Sequence, residues 1–242
     1  MTSHLLSPLT ILSTLLTAFI AFLFWYRVHM IARSLDISKS RKNSISIISG
    51  FLLAGWFVLV LLFALADIYH VSEDFLSPLV PIGFALPFII GWHLMKTSAS
   101  FQMVLDKLTQ EWLIALQFYR TGGIIFILLY FQGLLPALFA FSAGIGDLIV
   151  GLSAPIVAYF CWKKTSFSRN LVIAWNVIGI IDLILAITFG ILLVLPEQFT
   201  PITSTPSTEL MTIFPLVLVP VFAVPFGILL HIFSLRLLFK KK

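Results

Sequence analysis

Charge is what this sequence has least of. Of its 242 residues only 10% are Asp, Glu, Lys or Arg, while 60% are hydrophobic, and the mean hydropathy is +1.09. A chain of one-domain length cannot hide this much apolar surface in a water-soluble core, so the expected solvent is lipid. A single cysteine, Cys161, excludes an intrachain disulfide framework and any CxxC site. No Lys or Arg precedes the first apolar stretch, and Trp25, Tyr26 and Arg27 follow it in place of a small-residue cleavage site. The stretch therefore reads as a retained helix and not as a secretory signal. No lysine lies inside an apolar run, which excludes a retinal Schiff base. Glycine-rich phosphate loops, HExxH and GxSxG segments are missing too. The polar connections are too short to hold a separate catalytic domain.

What is present is a series of long apolar runs. A spanning helix needs about 20 mostly apolar residues, and seven stretches qualify: 8–26, 44–66, 75–95, 112–131, 138–162, 170–195 and 212–238. The expected fold is all-α, a polytopic membrane protein forming one transmembrane domain over 1–242. The connections are expected to be short except the third. There, over 96–111, Phe101, Val104, Leu105, Leu108 and Trp112 recur at helical spacing, with Asp106, Lys107, Gln110 and Glu111 on the other face. That pattern predicts an amphipathic helix in the membrane interface.

The basic residues set an orientation. Arg27, Arg33, Lys39, Arg41 and Lys42 fall in the first connection, and Lys96 and Lys107 in the third. Lys163, Lys164 and Arg169 fall in the fifth; Arg236 and the three lysines from Lys240 onward form the tail. Together these are fourteen of the fifteen basic residues. The second, fourth and sixth connections hold only Asp67, Glu73, Asp74, Glu197 and Glu209. The positive-inside rule then expects the N-terminus outside and the C-terminus in the cytoplasm. Clusters of this kind are orientation signals, so no nucleic-acid partner is expected; the lipid bilayer is.

Two stretches of the chain resemble each other. Phe84-Ala85-Leu86-Pro87-Phe88 with His93 matches Phe222-Ala223-Val224-Pro225-Phe226 with His231 at an offset of 138. Ala21–Arg27 resembles Ala158–Lys164 at an offset of 137. A parallel repeat of two three-helix units, 8–95 and 138–238, around a linker helix at 112–131 is the expected arrangement. This plan is similar to that of the SWEET-type sugar transporters and their PQ-loop relatives, which implies a binding site between the halves near the midplane. No Pro-Gln pair ends span one or span five, so no substrate residue carries over. A second resemblance rests on Gly133-Leu134-Leu135-Pro136, Phe139-Ala140 and Ala143-Gly144-Ile145-Gly146-Asp147, with Trp175-Asn176 and Asp182-Leu183. It is similar to a pattern in uncharacterised bacterial inner-membrane proteins, which implies a multi-pass location and no activity.

Three strongly ionisable residues fall inside the runs: Arg120, Asp147 and Asp182. At the helical rise they lie roughly 12, 14 and 18 Å from the nearer span ends used to place them, close to the middle of a hydrocarbon layer of about 30 Å. A charge there costs at least about 2.5–3.5 kcal/mol, so each needs a partner or a wet cavity. One reading is a ligand site in which Arg120 holds an anionic or hydroxylated solute and a carboxylate relays protons. The other is an Arg–Asp lock that fixes helix register. Gln117, Asn176 and Trp175 add polar or aromatic groups to either. His93 and His231 are expected near the ends of spans three and seven; with no Cys, Asp or Glu at matching depth, neither metal nor other cofactor is expected. Pro87 and Pro225, each six residues earlier, are expected to kink gating helices. A small-solute transporter, a non-transporting subunit or sensor with a structural polar core, and an intramembrane lipid-modifying enzyme all remain open at this level.

Overall fold

The computed structural model describes residues 2–71, 77, 79–195 and 199–240. Glu73, Asp74, the expected start of span three at Phe75, Glu197, Lys241 and Lys242 lie outside the described residues. Among the described residues, seven helices are long and apolar enough to cross a membrane, as an integral multi-pass protein requires. In chain order they are α1 (Thr2–Ser34), α2 (Lys39–Leu65), α3 (Leu79–Thr97), α5 (Gln110–Phe131), α6 (Ala137–Trp162), α7 (Ser168–Leu192) and α8 (Val219–Phe239), with a short helix α4 (Ala99–Lys107) before α5. No strand is present among the described residues.

The sequence explains several boundaries. Ser38 and Ser98 cap α2 and α4, their hydroxyls accepting from the backbone N–H of Arg41 and Phe101. The expected amphipathic helix over 96–111 is shorter in the structure, because Leu108 and Thr109 are extended and divide α4 from α5. Its apolar face is also covered by protein. Val104, Leu105 and Leu108 pack with Val28, Ile31 and Ala32 of α1, which continues well past Tyr26, and with Phe233 of α8. On the other face, Asp106 accepts from Arg236 at 2.7 Å and from Lys240, tying α4 to the end of α8.

The seventh span begins later than expected, at Val219 instead of residue 212, and residues 193–218 form a long connection. Pro215 accounts for this: it has no N–H to give a preceding turn and disfavours helical dihedrals at Phe214, while Pro220 falls in the first turn of α8, where a missing N–H costs little. The connection folds back onto the bundle, with Thr208 Oγ1 donating to Gly190 O at 2.6 Å and Thr208 N to Leu193 O at 3.2 Å. It is tied to the α2–α3 connection by His70 against Glu209 (2.7 Å) and by Val71 N donating to Thr212 Oγ1 (3.1 Å).

Burial is uneven among the spans. In the most apolar stretch of α8, 67% of residues are buried within the protein, against 11% in α2 and in α3. α8 is thus the central helix, contacting α3, α4, α5 and α7. α6 packs between α5 and α7, while α2 lies against α1 with most of its apolar side chains facing outward.

Candidate functional site

The site begins with a change of winding in α5. Its middle, Gln117–Gly123, is a 3-10 helix flanked by α-helical Gln110–Leu116 and Ile124–Phe131. Seven residues is long for such a segment. Gly122 and Gly123, poor α-helix formers, sit at its end. The winding has a direct consequence, because at three residues per turn every third side chain falls in line. Gln117, Arg120 and Gly123 are the segment's buried residues and share that line.

Arg120 is 2% exposed and reaches three neighbouring helices. Its Nε donates to Asp147 Oδ1 of α6 at 2.6 Å, and Nη2 donates to Asp182 Oδ2 of α7. Nη1 lies 3.4 Å from the Gly179 carbonyl and 3.2 Å from His231 Nε2 of α8. A guanidinium only donates, so His231 Nε2 must accept, and the hydrogen-bond network places the ring proton on Nδ1. That nitrogen donates to Asn176 Oδ1 at 2.9 Å. Asn176 Nδ2 in turn donates to Ser234 Oγ at 2.8 Å and to Val172 O at 2.7 Å, and Gln110 Nε2 also donates to Ser234 Oγ. A continuous polar line therefore runs through the bundle from Asp147 to Gln110, at the α4 end.

Close helix approach makes this possible. A Cβ on Gly146 would overlap Asp182 Oδ1, and one on Gly179 would overlap the His231 ring. Bare backbone at these two positions lets a carboxylate and an imidazole press against neighbouring helices.

The sequence-derived residues fall into two groups. Arg120, Asp147, Asp182, Asn176 and His231 are joined directly, and Trp175 stands beside them, its ring 5.1 Å from His231 and its Nε1 donating to Ser153 Oγ at 2.9 Å. Gln117 is adjacent on the 3-10 line and donates to Gly227 O of α8 at 2.9 Å; its Oε1 is buried with no hydrogen-bond donor among the described residues. Pro225 opens the regular part of α8, directly after a π-helical stretch over Val219–Ala223, so the irregularity of α8 is a π segment upstream of the proline. On α3, Pro87 is buried within the helix, while His93 is exposed. The expected helix-end role for His231 gives way to a mid-helix position at 0% exposure, because Asn176 and Arg120 receive both its nitrogens. Ser234, Gln110 and Tyr119, which donates to Ala223 O at 2.9 Å, escape sequence reasoning. The signal for Ser234 is its place three residues after His231, on the same helix face.

A cavity of about 440 Å³ adjoins the cluster on the side away from α4. It lies between α3, α5, α6, α7 and α8 and beneath the connections that carry Val71 and Thr212. Among the described residues its lining is apolar apart from a few hydroxyls and one charged group, Asp147.

A family model for a domain of unknown function, DUF8737, matches residues 77–239. The chain belongs to this family. The DUF8737 region contains every member of the polar line and leaves out α1 and α2. No curated protein and no solved structure matches the chain.

Proposed function

We propose that this DUF8737 protein is a small-solute transporter of a cell membrane, with its N-terminus outside, its C-terminus in the cytoplasm and its site where the cavity meets Asp147. The bacterial inner membrane is the setting suggested by the resemblance of its glycine-rich sixth-helix pattern. The observation that carries the reading is the junction itself: a cavity within the size range of small-molecule sites ends on a carboxylate paired to a buried arginine. Charged groups at this depth mark solute or ion pathways when they line a cavity. The polar line from Arg120 through His231, Asn176 and Ser234 to Gln110 supplies groups along which the opposite side could open.

Access is testable before any solute is known. In a Cys161→Ser background, Ala186→Cys places a thiol on the cavity wall, and Ser234→Cys places one on the polar line toward the α4 end. A membrane-impermeant maleimide should label the first from outside and the second from the cytoplasmic side of vesicles. Labelling of neither, from either side, would refute transport.

A second reading, a membrane subunit with a structural polar core, is favoured by the saturation of Arg120, whose three nitrogens all face acceptors within the protein. It expects no labelling and a stable partner on co-purification.

A further inference from the structure

We propose that the cavity binds an apolar organic cation, an ammonium carried on a hydrophobic or aromatic body, with its N–H groups on Asp147; the inference rests on the transport reading only for what happens after binding. Charge comes first. Arg120 contributes one positive charge and Asp147 and Asp182 one negative charge each when ionised, while His231 is neutral in its hydrogen-bonded form. With both carboxylates ionised the cluster is one positive charge short of neutrality, in a medium where that shortfall is costly, and a bound cation or a proton would make it good. This departs from the reading of Arg120 as the holder of an anionic or hydroxylated solute, since its donors are already directed at protein acceptors.

The lining narrows the class further. The hydroxyls that border the cavity are committed to backbone: Thr208 Oγ1 to Gly190 O, Thr212 Oγ1 to Glu209 O and Ser77 Oγ to Ile68 O. Asp147 gives only Oδ1 to Arg120, and among the described residues no donor reaches its Oδ2. Its side chain is 15% exposed. The polar handle that the cavity offers is thus an acceptor carrying negative charge, and it selects a donor carrying positive charge. The rest of the wall, including Phe84, Phe126 and Phe139, supplies apolar surface and ring faces that attract a cation as well as an apolar body. An anion would meet Asp147 with no free counter-charge, and a neutral alcohol would leave the cluster uncompensated.

The test uses three probes of matched shape on the full chain in lipid nanodiscs: 4-phenylbutylammonium, 4-phenylbutanol and 4-phenylbutyrate, with partition into empty nanodiscs subtracted. The ammonium should bind saturably and about 10- to 100-fold more tightly than the other two, the range expected of one hydrogen bond to a charged group. Asp147→Asn should erase that preference. Because that substitution also touches the ion pair, Ala186→Leu provides a second variant, which narrows the cavity without touching a charge and should weaken ammonium binding about 10-fold or more. Equal binding of the alcohol, tighter binding of the carboxylate, or ammonium binding unchanged by Ala186→Leu would each overturn the proposal. Ammonium binding without flux in proteoliposomes supports the site and overturns transport. Flux of another solute with no ammonium preference overturns the ligand class and leaves transport standing.

Discussion

α3 and α8 carry the same run of letters, Phe-Ala-x-Pro-Phe followed by His, and occupy opposite environments. α8 is the buried centre of the bundle and α3 a peripheral helix. His231 is enclosed, with both ring nitrogens bonded, while His93 is exposed. The proline of the run is buried in both helices, but the apolar letters around it are not treated alike: Phe222, Val224 and Phe226 are buried, whereas Phe84 and Phe88 are half-buried and Leu86 is exposed. The histidines part company because their neighbours differ: α8 meets Arg120 of α5 and Asn176 of α7, and no hydrogen bond of either residue reaches α3 among the described residues. A shared motif therefore specifies what a helix can offer, and the surrounding helices determine whether the offer is used.

Four measurements would break or sharpen this contrast. The largest effect is expected for Arg120→Ala, which strands Asp147 and Asp182 without a counter-ion and should cost about 3–5 kcal/mol. Chemical unfolding in detergent micelles would register it, and Lys96→Ala at the end of α3 should stay within about 0.5 kcal/mol. If the two variants matched, the polar centre would not be organised around α8. Next comes the direct comparison of histidines. His231→Ala leaves Asn176 Oδ1 and one Arg120 donor without partners and should lose about 1–3 kcal/mol, whereas His93→Ala should leave the melting temperature unchanged.

Glycines give a finer version of the same contrast. A Cβ on Gly227 of α8 would lie 2.6 Å from the Tyr119 hydroxyl, which is held by its bond to Ala223 O, so Gly227→Ala should cost about 1–3 kcal/mol. A Cβ on Gly91 of α3 meets only the tip of Leu229 at 3.0 Å, which can rotate away. Gly91→Ala should therefore lie within about 0.5 kcal/mol of the parent in the same unfolding assay.

The smallest effect concerns the connections that lead into the two helices. The hydrogen bond to Glu209, with a smaller contribution from the charge of Asp67, holds the His70 imidazolium above its ordinary range near 6.5. A raised histidine stabilises the folded state fully below its unfolded value and loses that contribution as pH rises through the raised one. Both partners are partly exposed, so the gain is at most about 0.5 kcal/mol. The protein should be slightly more stable near pH 5.5 than near pH 8. That difference should vanish in His70→Gln; a persistent slope would assign the pH dependence elsewhere.

The seven apolar helices are legible in the sequence because lipid demands uninterrupted apolar runs of one length, a signal carried by each helix alone. Arg120, Asp147 and Asp182 are legible as residues for the same reason, since charge in such a run stands out. Their mutual contacts are not, because the approach of Gly146 and Gly179 to side chains on other helices depends on packing between segments distant in sequence. His231 is the least legible: its sequence counterpart His93 points to a helix-end role, and only the placement of α8 at the centre of the bundle removes it. The late start of α8 is legible in Pro215, which interrupts the apolar run that hydropathy alone carries back to residue 212.

The tight middle of α5 has a mechanical consequence. Wound as an ordinary α-helix, the seven residues would be about 3.5 Å shorter and would turn about 140° less. Any relaxation toward that state would screw one end of α5 against the other, lifting Arg120 off its carboxylates while swinging Phe126 along the cavity wall. Arg120, which holds both salt bridges, and Phe126, which lines the cavity, thus stand on one continuous helix, within and just beyond the segment whose winding is tight.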